Sequence, residues 1–127
     1  MNVVDSSGWL EYFARGSNGA YFAPVIQDTA NLIVPTICFY EVYKRILIQR
    51  DEEDALNVVG WMSLGQVVDL TREIALLAAD LSFEHKLPMA DSMILAVARA
   101  YEATLWTQDE HFRGLPKVKY TQKLVLG

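Results

Sequence analysis

The chain has 127 residues, a length that favours one folded domain over residues 1–127. Hydrophobic residues make up 52% of it, which argues against a largely disordered protein. Its only cysteine, Cys38, excludes an internal disulfide and a cysteine-based zinc cluster, and no apolar run is long enough to span a membrane, so we expect a protein of the reducing cytoplasm. The formal charge of −5 argues only weakly against nucleic-acid binding, because carboxylates that hold divalent cations make a metal-free sequence acidic.

The first half of the chain predicts two strands and four helices. In chain order these are a strand at Asn2–Asp5, helices at Ser6–Arg15 and Ala20–Ala30 separated by Gly16 and Gly19, a strand at Leu32–Val34 that Pro35 ends, a helix from Thr36 to about Arg50, and a helix at Asp51–Leu64 that Gly65 ends. Thr36 is expected to cap its helix, and four consecutive acids suit the positive N-terminal end of the helix that follows.

The second half predicts two helices and the remaining strands. In chain order these are a strand at Gln66–Leu70, a helix that Thr71 caps, a helix from Pro88 to about Glu102, a strand at Thr104–Thr107, and a fifth strand at Val118–Thr121. Short β-rich segments thus alternate with longer helical segments. This alternation is typical of βαβ units, and it predicts an α/β fold with a mainly parallel central sheet of four to five strands.

Two aspartates follow predicted strands. Asp5 ends the first strand, and Asp109 lies two residues beyond the strand at Thr104–Thr107. In open α/β sheets, ligands bind just outside the carboxyl ends of the strands, which makes both aspartates candidates for a functional role. The competing interpretation is that each is an ordinary helix or turn cap.

Two further acids lie inside predicted helices. Asp91 is in the first turn of a helix that is apolar almost all round, so its carboxylate is expected to be shielded from water and to need a partner. No lysine or arginine follows within a turn, which makes a metal ion an attractive partner. Glu41 is followed by Lys44 and Arg45 at helical spacing, and a surface salt bridge is its simplest interpretation.

Taken together, the four acids indicate more than any one of them does. Hard divalent cations such as Mg²⁺ and Mn²⁺ prefer oxygen ligands, and three or four carboxylates at one sheet edge could hold one or two such ions. The ions would activate a water for attack on a phosphodiester, so no covalent nucleophile would be required.

The segments around these acids resemble the motifs of PIN domains. The matching segments are Val3–Ser7, Pro35–Ile37 followed by Tyr40–Val42, Leu87–Ile94 and Leu105–Phe112. Their order and spacing are most similar to VapC-type toxins of toxin–antitoxin pairs, and the resemblance covers the chain from Val3 to about Tyr120. It implies a three-layer α/β/α PIN-like fold.

The resemblance also implies a function and a set of site residues. Asp5, Glu41, Asp91 and Asp109 would form the catalytic, metal-binding site for Mg²⁺ or Mn²⁺, with supporting hydrogen bonds from Ser7 and Thr107. The chain would be an endoribonuclease with an RNA substrate, a homodimer, and the target of a cognate VapB-like antitoxin. Such an antitoxin would occupy an apolar groove, for which Trp9, Tyr12 and Phe13 are candidates unless they pack in the core.

Other interpretations remain open from the sequence. A PIN-like or other α/β module could bind a divalent metal and RNA or a protein partner without catalysis. An aspartyl phosphatase is disfavoured because Ser7 stands where a second aspartate is needed, and a receiver-like module lacks the required lysine after a late strand. His85 and His111 are not expected to be metal ligands, because neither has a second histidine or cysteine at a useful spacing.

Overall fold

The computed structural model describes residues 1–124, and within them it contains five strands and six α-helices. The strands are β1 (Asn2–Val4), β2 (Leu32–Pro35), β3 (Gln66–Val68), β4 (Thr104–Thr107) and β5 (Val118–Tyr120). The helices are α1 (Ser6–Phe13), α2 (Gly19–Gln27), α3 (Thr36–Gln49), α4 (Glu52–Met62), α5 (Arg72–His85) and α6 (Met89–Ala100). Two 3-10 turns lie at Thr29–Asn31 and Glu110–Phe112. None of the helices in this part of the chain is long and apolar enough to cross a membrane.

The five strands form one parallel sheet in the order β3-β2-β1-β4-β5. The chain moves outward from β1 to β2 and β3 on one side, and then continues through β4 and β5 on the other. This reversal creates a crevice at the carboxyl end of β1, where open α/β sheets bind their ligands. The residues that follow β1 and β4 therefore share one edge of the sheet.

Both faces of the sheet are covered by helices. Val3 and Val4 of β1 are fully buried, and all four residues of β2 are buried. Because successive side chains of a strand point to opposite faces, this continuous burial requires a layer of helices on each side. The predicted α/β/α fold with a parallel sheet is confirmed.

Four helices end two or three residues earlier than the sequence predicted. α4 ends at Met62 instead of Leu64, and α6 ends at Ala100 instead of about Glu102. α1 ends at Phe13 instead of Arg15, because Arg15 adopts a left-handed backbone with φ of +54°. α2 ends at Gln27 instead of Ala30, and the Thr29–Asn31 turn follows. There the side chain of Asn31 donates a hydrogen bond to the Asp28 carboxylate at 3.0 Å, and such local bonds compete with helix continuation.

The predicted caps have mixed outcomes. Thr71 accepts a hydrogen bond from the backbone N–H of Ile74 at 3.2 Å, as expected. Asp51, which was not predicted to be a cap, accepts one from the backbone N–H of Asp54 at 2.8 Å. The prediction for Thr36 is wrong, since α3 begins directly after β2 and Pro35 occupies the N-cap position. Pro88 is likewise the N-cap residue of α6 instead of its first helical residue.

Candidate active site

Asp5 lies at the centre of the sheet edge, directly after β1. Its backbone N–H donates to the carbonyl of Trp106 at 2.9 Å, which continues the β1–β4 ladder to the point where the side chain leaves the sheet. Only 2% of the residue is exposed. The carboxylate Oδ2 accepts hydrogen bonds from Ser7 Oγ at 2.6 Å and from Thr107 Oγ1 at 2.9 Å. Both hydroxyls that the resemblance linked to the site therefore contact the same oxygen.

Burial dominates the electrostatics of Asp5. Loss of hydration raises the pKa of its carboxyl from 3.8 to about 7, although the hydrogen bonds from Ser7 and Thr107 oppose the shift. Repulsion from the charges of Asp91 and Asp109 adds to the rise. A carboxyl with a raised pKa would lose its proton if a metal cation bound to it.

Glu41 reaches the same edge from the middle of α3. Its Oε1 accepts a hydrogen bond from Ser6 Oγ at 2.8 Å, and the salt bridge considered from the sequence does not form within residues 1–124. Lys44 instead lies over the ring of Tyr40, 5.6 Å from its centroid. Burial raises the pKa of Glu41, and repulsion from Asp91 and Asp109 acts in the same direction.

Asp91, Asp109 and His111 form the outer part of the site. The side chain of Asp91, in the first turn of α6, is 14% exposed and that of Asp109 is 30% exposed. His111 Nδ1 lies 2.8 Å from Asp91 Oδ2 and 3.2 Å from Asp109 Oδ1. Burial raises the pKa of Asp91, whereas the hydrogen bond to Asp91 raises the pKa of His111.

The four predicted acids line one cleft of about 670 Å³. The same cleft is bordered by three basic residues, Arg45, Arg50 and Lys123, and by the aromatic side chains of Phe13 and Trp61. The cleft therefore combines an acidic floor with cationic groups at its border.

The donor set fits a divalent cation. Asp91, Asp109 and His111 each offer one ligand atom, and these atoms lie within 4.8 Å of one another. In the described part of the chain, no lysine or arginine forms an ion pair with any of the four acids. Carboxylates that are buried or half-buried without such a partner are costly, and a hard cation with oxygen ligands would compensate them.

A buried amide network supports the same edge of the sheet. Asn18 Nδ2 donates to Gln108 Oε1 and to the carbonyl of Gln122, both at 3.0 Å. Gln108 Nε2 in turn donates to Glu11 Oε2 at 3.2 Å. Through Asn18 the network connects the α1–α2 loop to Gln108, the neighbour of Asp109. It also holds the backbone at Gln122, the neighbour of Lys123.

Several of these residues were not identified from the sequence. Ser6, Asn18, Gln108 and His111 carry no local pattern that distinguishes them, although Ser6 and Gln108 directly neighbour predicted acids. His111, which was not expected to be a metal ligand, lies beside two of the acids.

The candidates for an apolar groove divide into two groups. Trp9 is 1% exposed and packs in the core, so it lines no groove. Tyr12 and Phe13 line a second cavity of about 500 Å³ together with Trp61 and Leu64. Phe13 and Trp61 border both this cavity and the acidic cleft.

The PIN domain family model matches residues 3–118, and the chain therefore belongs to the PIN domain family. This match includes β1 to the start of β5 and all four acids. A comparison with curated protein sequences gives no match.

Several solved structures share the fold. A toxin–antitoxin complex from Klebsiella pneumoniae is 22% identical, with a TM-score of 0.77 over 94% of this chain and 96% of that one. A sarcin–ricin loop cleaving VapC toxin from Mycobacterium tuberculosis is 14% identical, with a TM-score of 0.76 over 91% and 95%. A VapBC complex from Rickettsia felis, bound to a promoter DNA fragment, is 14% identical, with a TM-score of 0.71 over 95% and 97%.

Proposed function

We propose that this protein is a metal-dependent endoribonuclease and the toxin of a VapBC-type toxin–antitoxin pair. The observation that carries the proposal is the convergence of Asp5, Glu41, Asp91 and Asp109 on one cleft, with Asp5 fully enclosed. Membership of the PIN domain family and the fold shared with a sarcin–ricin loop cleaving toxin support it.

In this proposal the four acids hold one or two Mg²⁺ or Mn²⁺ ions. When bound, such ions supply a water of lowered pKa and stabilise the leaving oxygen of the phosphodiester. Ser7 and Thr107 both donate to Oδ2 of Asp5, and this fixes the carboxylate with Oδ1 available as a ligand. Ser6 fixes Glu41 in the same way, so the ligands are held in place before an ion arrives.

The first test is cleavage of mixed RNA by the purified full chain with Mn²⁺ or Mg²⁺, with and without EDTA. We expect Asp5→Asn to lower the cleavage rate by about 100-fold or more, because loss of even an outer partner of a metal ligand costs about 10- to 100-fold. Asp80→Asn, at an exposed acid of α5, is the matched control and should cleave like the wild type.

Two results would contradict the proposed activity. One is equal cleavage by the wild type and Asp5→Asn, which would indicate a contaminating nuclease. The other is cleavage that EDTA does not reduce. Metal binding without cleavage of any RNA would favour a non-catalytic PIN module.

We further propose a VapB-like antitoxin as the partner. The complexes from Klebsiella pneumoniae and Rickettsia felis support this, as does the apolar cavity beside the cleft, where Trp61 is 64% and Leu64 59% exposed. The Trp61→Ser variant should no longer co-purify with a small protein of the native host, whereas Tyr101→Ser, at an exposed residue that lines neither cavity, should still co-purify with it. Absence of any partner of the wild type would count against this part.

A homodimer is the third part of the proposal. Leu76 and Phe83 lie seven residues apart on α5, and they are 63% and 90% exposed. Exposed apolar side chains of this kind support a dimer in which a second copy of the chain covers this part of α5. Light scattering of the purified chain should give about twice the protomer mass of 14.3 kDa, and Phe83→Ser should lower it. A monomeric wild type at micromolar concentration would contradict this part.

A further inference from the structure

We propose that His111 is a direct nitrogen ligand of the bound metal ion and that it makes the centre selective for Mn²⁺ over Mg²⁺. The inference rests on the proposed function, since it assumes that the acids hold a divalent cation. It adds to that function a ligand of a different chemical type and a preference between the two metals.

The first argument is geometric. His111 Nδ1 lies 2.8 Å from Asp91 Oδ2 and 3.2 Å from Asp109 Oδ1. In an octahedral site with bonds of about 2.1 Å, ligand atoms on adjacent corners lie about 3 Å apart. Each of the two carboxylate oxygens therefore lies at the distance from Nδ1 that a neighbouring ligand of one ion would have, and the three residues offer ligand atoms within 4.8 Å of one another.

The second argument concerns how the imidazole is held. The backbone N–H of His111 donates to Asp109 Oδ1 at 2.9 Å, and the backbone N–H of Asp109 donates to Thr107 Oγ1 at 2.9 Å. Phe112 is completely buried and anchors the 3-10 turn in the core. The turn thus brings the imidazole of His111 to the acids. Because the side chain is 55% exposed, the ring can still rotate to meet an ion.

The third argument is chemical. Mg²⁺ and Mn²⁺ both bind carboxylate oxygens, but imidazole nitrogen binds a transition-metal ion such as Mn²⁺ more readily than it binds Mg²⁺, which prefers oxygen ligands and keeps several waters. Two carboxylates alone would hold either ion, but a nitrogen at the third position favours Mn²⁺. In the metal-free protein the same nitrogen hydrogen-bonds to Asp91, which keeps the ligand set together.

The decisive experiment is electron spin-echo spectroscopy of the Mn²⁺-loaded full chain, with histidine at natural abundance and labelled with ¹⁵N. We expect a modulation from directly bound imidazole nitrogen that changes frequency with the label. The chain has only two histidines, so the assignment needs two variants. His111→Gln should abolish the modulation. His85→Gln, at the end of α5 and outside the cleft, should preserve it.

Metal affinity gives the second readout. His111→Gln should raise the Kd for Mn²⁺ by about tenfold or more and the Kd for Mg²⁺ by less than about threefold. An equal loss for both metals, or a wild type with no histidine modulation, would show that His111 only hydrogen-bonds to the acids and would overturn the inference. The labelled wild type decides this even if the variant does not fold.

The outcomes separate this inference from the proposed function. A wild type that binds Mn²⁺ through oxygen alone and cleaves RNA would overturn the role of His111 only. A wild type that binds no divalent ion would overturn both.

Discussion

Asp5 connects the charge of the site to the stability of the whole fold. Burial raises the pKa of its carboxyl to about 7, while the unfolded chain titrates near the ordinary value of 3.8. Between these values the folded protein keeps a proton that the unfolded chain releases, so raising the pH favours unfolding. The raised pKa values of Glu41, Asp91 and His111 act in the same direction, since each folded group also holds its proton to higher pH.

The metal-free protein should therefore lose stability as the pH rises. In EDTA, we expect the free energy of unfolding to fall between about pH 4 and pH 7 by up to about 4 kcal/mol from Asp5 alone. Urea denaturation across this range measures it. Asp5→Asn should remove most of the dependence, and Asp80→Asn should leave it unchanged. A stability that rises with pH in EDTA would contradict the buried state of Asp5.

Added Mn²⁺ should reverse this trend. Metal binding requires deprotonated carboxylates, so a cation bound as proposed would compete with protons for Asp5, Glu41 and Asp91. We expect millimolar Mn²⁺ to raise the Tm more at about pH 8 than at about pH 5, because binding to the folded state alone stabilises it. Thermal melts of wild type and Asp5→Asn measure the difference. A shift equal at both pH values, or equal in the two proteins, would indicate binding elsewhere.

The resemblance to PIN domains pointed to the four acids and to two partners of Asp5, but it did not point to Ser6 or His111. Asp5 and Asp109 follow strands and Asp91 opens an apolar helix, so local pattern makes these three candidates, whereas the local pattern at Glu41 indicated a surface salt bridge. Ser6 and Glu41 are 35 residues apart, and Asp91 and His111 are 20 apart. Contacts of this kind depend on how α1, α3 and α6 converge on the sheet. A local sequence pattern does not predict that arrangement.

Two threonines that were both predicted to cap helices differ in the structure. Thr71 accepts a hydrogen bond from the Ile74 N–H, whereas Thr36 is already the first helical residue of α3 and makes no capping bond. We expect Thr71→Ala to lower the free energy of unfolding by about 1 kcal/mol and Thr36→Ala to lower it by less than about 0.5 kcal/mol. Chemical denaturation measures both. Equal losses would show that Thr36 does cap α3.

Two helical glycines offer a second matched pair. A Cβ on Gly8 of α1 would lie 2.7 Å from both Phe22 and Val4, whereas one on Gly60 of α4 meets nothing within 4 Å. Gly8→Ala should therefore cost about 2 kcal/mol through overpacking. Gly60→Ala should gain about 0.5–1 kcal/mol, because alanine loses less backbone entropy in a helix. A neutral Gly8→Ala would contradict the close packing of α1 on α2 and β1.

Element boundaries show where local pattern stops being sufficient. β3 was predicted to reach Leu70 but ends at Val68, which pairs with Pro35, the last residue of β2. Beyond Pro35 the chain enters α3, so residues 69 and 70 have no strand to pair with. The length of a strand is set by its neighbour in the sheet, and that information lies more than thirty residues away in the sequence.

At the scale of the whole molecule, the sheet order explains why distant acids meet. The alternation of strands and helices predicts a parallel sheet, but it does not specify that β1 lies between β2 and β4. That order places the ends of β1 and β4 side by side and brings α3 and α6 to the same edge. A net charge of −5 then coexists with a cleft whose border carries Arg45 and Lys123.

This distribution of charge leads to a prediction about RNA binding. Metal ions on the acidic floor would neutralise the centre, and the basic border would then contact phosphates on either side of the scissile bond. Arg45→Gln should raise the KM for RNA with little change in kcat, because such contacts bind substrate and transition state alike. It should also reduce the slope of log affinity against log salt by about 1.

Arg72→Gln is the matched control, since Arg72 is exposed at the start of α5 and does not line the cleft. It should leave both KM and the salt slope unchanged, although it removes the same charge from the protein. If both variants weakened binding equally, net charge alone would govern association with RNA. If Arg45→Gln lowered only kcat, Arg45 would act on the transition state instead of the flanking phosphates. A selective effect on KM and on the salt slope would assign the cationic border of the cleft to substrate binding.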